Sequence, residues 1–281
     1  MKHIIVCLFL LAGCSNEPSK PALLRKSYAS ETLGTHREYW LSLPKDYNDH
    51  PTRQWPVILF LHGGGERGDS LGAVLKHGPI MEAGVQGRDL PFIIVAPQLH
   101  PSSREGNEAR SRRPPRRRRT EFVRETGDVP APWGKLGPPD GWSKLEKDLL
   151  QILDRTLEEY RADPDRVYLT GISYGGYGTW YMATNHPDRW AAVAPISGVG
   201  YPPDMVKIAK LPVWYFHGGK DALVRVEWSL PTLRALQEAG GNLRVTVHED
   251  RPHNTWTRVY EGEDLYSWFL SHERGESSDS E

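Results

Sequence analysis

Val167-Tyr168-Leu169-Thr170-Gly171-Ile172-Ser173-Tyr174-Gly175 is the stretch on which the fold turns. Its first four residues read as a strand, and Gly175 to Asn185 reads as a helix. Between them lies a G-x-S-x-G pentapeptide. So tight a strand-to-helix turn leaves no room for side chains at the flanking glycines. It lifts the serine oxygen above a sheet and aims a helix N-terminus at it. A glycine-rich turn with a surface serine is the plainer alternative, and the strand before and helix after argue against it.

Outward from this turn the same alternation repeats. Upstream, Arg37 to Leu43 reads as a strand, and Val57-Ile58-Leu59-Phe60-Leu61 and Phe92-Ile93-Ile94-Val95-Ala96 as buried strands with no polar face. Lys144 to Tyr160 carries Leu145, Leu149, Ile152, Leu153 and Leu157 on one helical stripe. Downstream, Ala191 to Ile196, Val213 to Phe216 and Arg244 to Val247 read as strands, and Trp228 to Glu238 and Asp264 to Leu270 as helices. Buried strands alternating with amphipathic helices predict one α/β domain, a mostly parallel central sheet with helices on both faces.

Composition agrees. The chain has 281 residues, 38% hydrophobic and 25% charged, with a formal net charge of −1. That excludes a mostly disordered chain, a collagen-like fibre, a multi-span membrane protein and a globally basic nucleic-acid binder; no nucleic-acid partner is expected. Ten Trp and twelve Tyr point to a large core and aromatic-lined clefts.

The ends read differently. Met1-Lys2-His3 followed by the short apolar run Ile4 to Gly13 has signal-peptide traits and is too short to span a bilayer. Leu11-Ala12-Gly13-Cys14 resembles a bacterial lipobox, which implies cleavage after residue 13 and lipid on Cys14. The implied location is the bacterial cell envelope, with the chain anchored to a lipid membrane. Cys7 would leave with the signal, so the mature chain would hold no disulfide and no cysteine-based chemistry. Residues 14–30 are expected to be a tether, 31–273 the folded domain and 274–281 a polar tail. Within the domain, residues 102–126 hold an arginine-rich block, with Arg116 to Arg119 in a row, that reads as a flexible insertion. Either it is a solvated loop, or it attracts an anionic polymer or lipid headgroups.

A serine hydroxyl needs a base, and the base an orienting acid. Of the histidines after Ser173, His253 lies in Arg251-Pro252-His253-Asn254-Thr255-Trp256, a loop between the last strand and the last helix. His248 reads as a strand-edge residue, His186 as a helix end, His217 as packing and His272 as tail. Asp221, in the glycine turn His217-Gly218-Gly219-Lys220-Asp221 that follows a strand, is the expected acid. His62-Gly63-Gly64-Gly65-Glu66-Arg67-Gly68 follows the first buried strand and offers unobstructed backbone N–H groups. An oxyanion hole is expected from Gly64 or Gly65 together with Tyr174. The glycines do not form a phosphate loop, having no Gly-Lys-Ser/Thr ending. Trp133, Trp142 and Trp256 fall near the expected cleft, and Trp142 and Trp256 are candidate substrate contacts.

With Leu61 to Gly68, Ala96-Pro97-Gln98, Asp165 to Trp180, His186-Pro187-Asp188, His217 to Asp221 and His253 to Trp256 in this order, the chain resembles the serine esterases of the α/β-hydrolase superfamily. It looks most like the phospholipase/carboxylesterase-like group beside the dienelactone hydrolases and the prolyl oligopeptidase catalytic domains. The resemblance implies the α/β-hydrolase fold, a Ser173–His253–Asp221 triad and hydrolysis of a small or polysaccharide-linked ester, of acetyl or feruloyl type. It implies no metal or organic cofactor. Tyr174 stands where relatives often carry Met, and the arginine block has no counterpart in that pattern. A peptidase or amidase using the same triad, or a binding lipoprotein on an inert hydrolase fold, are the alternatives.

Overall fold

The computed structural model describes residues 21–100 and 132–275. The expected signal peptide, Cys14, the arginine-rich block and residues 276–281 lie outside the described residues.

Among the described residues eight strands form one sheet: β1 (Ala22–Ser30), β2 (Thr35–Leu43), β3 (Trp55–Leu61), β4 (Ile93–Pro97), β5 (Ala162–Ile172), β6 (Ala192–Ile196), β7 (Val213–Gly218) and β8 (Leu243–His248). Their order is β1-β2-β4-β3-β5-β6-β7-β8. Antiparallel pairing is confined to β1–β2 and β2–β4, and every other neighbouring pair is parallel. Among the described residues five α-helices accompany them: α1 (Glu146–Glu159), α2 (Tyr174–Asn185), α3 (Leu230–Glu238), α4 (Trp256–Glu261) and α5 (Asp264–Leu270).

The continuous apolar runs are explained by a sheet covered on both faces. Val57, Leu59 and Leu61 of β3 pack in one core with Leu149, Ile152 and Leu153 of α1 and Trp180 and Met182 of α2. The alternate residues Ile58 and Phe60 pack in a second core with Val259 and Tyr260 of α4 and Phe269 of α5. β7 divides the same way, Val213 and Tyr215 to the first core and Trp214 and Phe216 to the second.

The tether was expected to reach residue 30, but Ala22 to Ser30 form β1, pairing along their whole length with β2. Buried Asp148 of α1 pins this hairpin: it accepts hydrogen bonds from Ser30 Oγ at 2.5 Å and from the Thr32 N–H at 3.2 Å. Arg25 and Lys26 mask the strand in the sequence because their charges go to partners across the surface, Glu38 and Glu159.

Topology sets where function can sit. β3 leads outward to β4, and the chain then crosses back to place β5 on β3's other side. The loops leaving the carboxyl ends of β3 and β5 therefore diverge and open a crevice, the usual ligand position in such sheets.

Candidate active site

Ser173 sits in that crevice, between the end of β5 and the start of α2. Its φ of 53° and ψ of −113° lie outside the regions a side chain favours. Such strain persists only when the surroundings impose it. Here they do. The Ser173 N–H donates to Ile196 O at 2.9 Å, and backbone crosses backbone on the other side. A Cβ at Gly171 would lie 2.5 Å from Gly175 O and 2.8 Å from Leu61 O, and one at Gly175 would run into Leu61 O. Glycine is required at both positions by close approach of β3 to the turn.

The loops after β7 and β8 bring the other two expected residues to this serine. His253 Nε2 is 2.9 Å from Ser173 Oγ, and its Nδ1 is 2.6 Å from Asp221 Oδ2. With Nδ1–H donating to the carboxylate, Nε2 is left as the acceptor of the serine proton. Lys220 N–H donates to Arg251 O at 2.9 Å, tying the acid's turn to the base's loop, and Ser197 Oγ donates to the His253 carbonyl at 3.3 Å.

Asp221 is fully buried. Burial pushes its carboxyl up, but hydrogen bonds from His217 and His253 hold it down at about 2. Its second oxygen, Oδ1, accepts the N–H groups of Leu223 and Val224, both at 2.9 Å. His217, expected only to pack, is indeed buried, but it also touches the acid. Its Nε2–H lies between Val224 O at 2.8 Å and Asp221 Oδ2 at 3.2 Å. Nδ1 then accepts from Tyr215 Oη.

The glycine loop after β3 faces this group. His62 Nδ1–H donates to Gly63 O at 2.8 Å, while His62 Nε2 accepts the Leu99 N–H at 3.0 Å. Glu66 N–H also reaches Gly63 O, at 3.3 Å. In a trans peptide the C=O and the next N–H point opposite ways, so anchoring the Gly63 carbonyl fixes the direction of the Gly64 N–H. A Cβ at Gly64 would lie 2.8 Å from Tyr174 Cδ2, so loop and elbow are in contact. Tyr174 opens α2, and its N–H is among those without a partner inside the helix.

The tryptophans divide. Trp142, expected to touch substrate, is 1% exposed; its indole N–H donates to His62 O at 3.1 Å, and its ring packs edge-on against His62. It supports the glycine loop from within the core and presents no face to a ligand. Trp256 meets the His253 ring edge-to-face at 5.1 Å and is 9% exposed, packed into the second core beside the base. Trp133 lies 5.2 Å from Tyr177 and shares an apolar cluster with Tyr177, Val199, Val224 and Trp228. Trp228 had been read only as the start of a helix. Its place beside Val224, three residues after Asp221, depends on the turn conformation and has no local signal.

Sheet order, elbow and Ser–His–Asp chain together define an α/β-hydrolase. More narrowly, the chain belongs to the family described as "Putative esterase", which matches residues 30–268. It is 24% identical over 179 residues to the dipeptidyl-peptidase 5 of Porphyromonas gingivalis, covering 64% of this chain and 22% of that one. It is 33% identical over 81 residues to the bifunctional acetylxylan esterase/xylanase XynS20E of Neocallimastix patriciarum, covering 27% and 12%. The crystal structure of a thermostable esterase superposes with a TM-score of 0.63 at 30% identity, covering 90% of this chain and 63% of that one. The chain thus spans about a fifth or less of the length of these two curated relatives.

Proposed function

We propose that the chain is a serine carboxylic-ester hydrolase that works through an acyl-enzyme. The observation that carries this is His253 hydrogen-bonded at once to Ser173 and to buried Asp221, at 2.9 and 2.6 Å. His253 takes the Ser173 proton as Oγ attacks the ester carbonyl, then gives it to the leaving alcohol. Asp221 keeps the imidazole in the required tautomer and stabilises the imidazolium. The Tyr174 N–H with that of Gly64 or Gly65 receives the oxyanion, a donor typically supporting about 3 kcal/mol of transition-state stabilisation. Water deacylates the enzyme through the same base.

For the acyl group, the half-buried Trp133 and Trp228 beside Tyr177 offer aromatic faces, Trp133 lying 6.3 Å from the ring of Tyr174, the residue after the nucleophile. These, with the ester-cleaving relative named for acetylxylan, support an acetyl or aromatic acyl ester, free or on a polysaccharide. The likeness to a dipeptidyl-peptidase favours, as a second reading, amide cleavage by the same residues. An ester and an anilide of one acyl group, assayed side by side, separate the two.

A p-nitrophenyl ester series from acetate to octanoate, with Ser173→Ala as control, tests the principal reading. Turnover should fall to near background in the variant, and the chain-length optimum should size the acyl pocket. Equal rates in the two proteins would sink it. We also propose, from the lipobox-like Leu11-Ala12-Gly13-Cys14, that the chain is held at the cell envelope by lipid on Cys14 and, from its charge, that the arginine-rich block attracts anionic headgroups or polymer. Labelling by radioactive palmitate that persists in Cys14→Ser would refute the anchor.

A further inference from the structure

Arg67 lies outside the triad and takes no part in its proton transfers. It is half-buried in the glycine loop, three residues beyond Gly64. Its Nε–H donates to the Gly64 carbonyl at 3.2 Å. Its guanidinium carbon stands 4.3 Å from the centre of the Tyr174 ring, within cation–π range. One terminal N–H donates to Asp140 O at 3.4 Å, anchoring the far side of the fork. Gly64 itself abuts that same Tyr174 ring. Gly64, Tyr174 and Arg67 therefore form a closed triangle, each touching the other two.

Two of its corners are the segments from which the oxyanion donors are drawn. The Gly64 carbonyl and the Gly65 N–H belong to one planar peptide and point opposite ways, so a donor on the carbonyl sets the direction of the N–H. The Gly63–Gly64 peptide is already anchored through Gly63 O by His62 and Glu66. The Gly64–Gly65 peptide, with no side chain at either residue to stiffen it, is anchored through Gly64 O by Arg67.

We propose that Arg67 is a positioning residue of the oxyanion hole, clamping the Gly64–Gly65 peptide to the Tyr174 ring so that both donor segments keep one spacing. The inference rests on the esterase reading. Arg67 acts through the loop and the ring and needs no contact with substrate. A lysine cannot replace it, because an ammonium lacks the planar fork that bonds a carbonyl and stacks on a ring together. The clamp also accounts for tyrosine at position 174, whose side chain supplies the face on which the guanidinium rests.

The test compares wild type, Arg67→Met, Arg67→Lys, Tyr174→Leu and the Arg67→Met/Tyr174→Leu double variant. Each is assayed for kcat and KM on p-nitrophenyl acetate, for Ki of an alkyl boronic acid and for Tm. The boronate forms a tetrahedral anion on the serine and so reports the hole itself. Arg67→Met should lower kcat/KM roughly tenfold to hundredfold, almost all of it in kcat, against the hundredfold or more that losing a donor outright costs. The boronate Ki should weaken by the same factor. Arg67→Lys should recover little, and the double variant should be no worse than the poorer single variant. Tyr174→Leu removes the ring face while keeping the charge, so it carries the test if Arg67→Met fails to fold. Activity within twofold of wild type, a loss confined to Tm or KM with an unchanged boronate Ki, or additive losses in the double variant would each overturn the clamp. If wild type neither turns over nor binds boronate at Ser173, the esterase reading itself fails and this inference falls with it.

Discussion

At the residue scale, His217 shows how a buried side chain can bear on a reaction it does not enter. Asp221 has two oxygens and four close donors: two backbone N–H groups on Oδ1, and His217 and His253 on Oδ2. Tyr177 and Tyr215 also face it, both with hydroxyls pushed up by burial and so uncharged. Removing the His217 donor leaves Oδ2 to His253 alone. The carboxylate then becomes more basic and favours the imidazolium more strongly. His217→Phe is therefore expected to move the acid limb of the kcat/KM profile to higher pH, and to lower kcat roughly tenfold as the carboxylate loses its orientation. An unshifted acid limb in a folded variant would reduce His217 to packing. Ser173, Asp221 and His253 were legible in the sequence because each is marked by its own turn at the end of a strand. The second bond of His217 was not, because it depends on the path of the Gly218–Lys220 turn. Trp142 was misread for a related reason: its spacing places it near the cleft but cannot say to which side its indole turns.

Among the elements, the parallel strands were readable because burial on both faces leaves an uninterrupted apolar run. β1 was not, because it is stabilised by partners distant in sequence. Its inward-facing residues Tyr28 and Ser30 are polar, and their hydroxyls donate to Asp148, over a hundred positions away. The helix α4 was also missed, being a turn and a half whose start coincides with the end of the His253 loop. Asp148 is the means by which α1 holds the β1–β2 hairpin, so Asp148→Ala leaves Ser30 Oγ and the Thr32 N–H without their acceptor. It should cost about 2 kcal/mol of stability, the usual penalty for an orphaned buried polar group. Because the hairpin lies at the sheet edge away from β5, β7 and β8, kcat on p-nitrophenyl acetate should change less than twofold. Urea unfolding read beside kinetics checks both halves, and a large fall in kcat at full folding would show the hairpin to be coupled to the site.

For the whole molecule, stability and the site are joined through protons. His62 is fully buried. Burial holds its imidazole down, at about 4, against hydrogen bonds to Gly63 and Gln98 that pull the other way. Protonation would also place a hydrogen on Nε2, which now accepts the Leu99 N–H. Between pH 4 and 6.5 the unfolded chain holds this proton and the folded chain does not, so stability rises with pH across that window and falls on acidification. The difference corresponds to roughly 3 kcal/mol lost between pH 6.5 and 4. His77, His100 and His248, held low by burial, act in the same direction, whereas Glu82, raised by burial, opposes them. Below pH 4 Asp221 continues the trend, since its depressed carboxyl releases its contribution only as pH falls toward about 2. The urea midpoint should therefore be flat from pH 8 to 7 and decline steadily below 6.5. His62→Gln, whose amide can donate to Gly63 O and accept from Leu99 N–H, should flatten the slope between 6.5 and 4 while keeping much of the neutral stability. Because the same ring joins Leu99 to the Gly63 carbonyl, loss of the Leu99 bond on protonation should loosen the glycine loop and lower boronate affinity before global unfolding, and the variant should delay both. A midpoint independent of pH down to 5, or the same slope in His62→Gln, would mean that the buried imidazole does not couple the oxyanion loop to the stability of the fold.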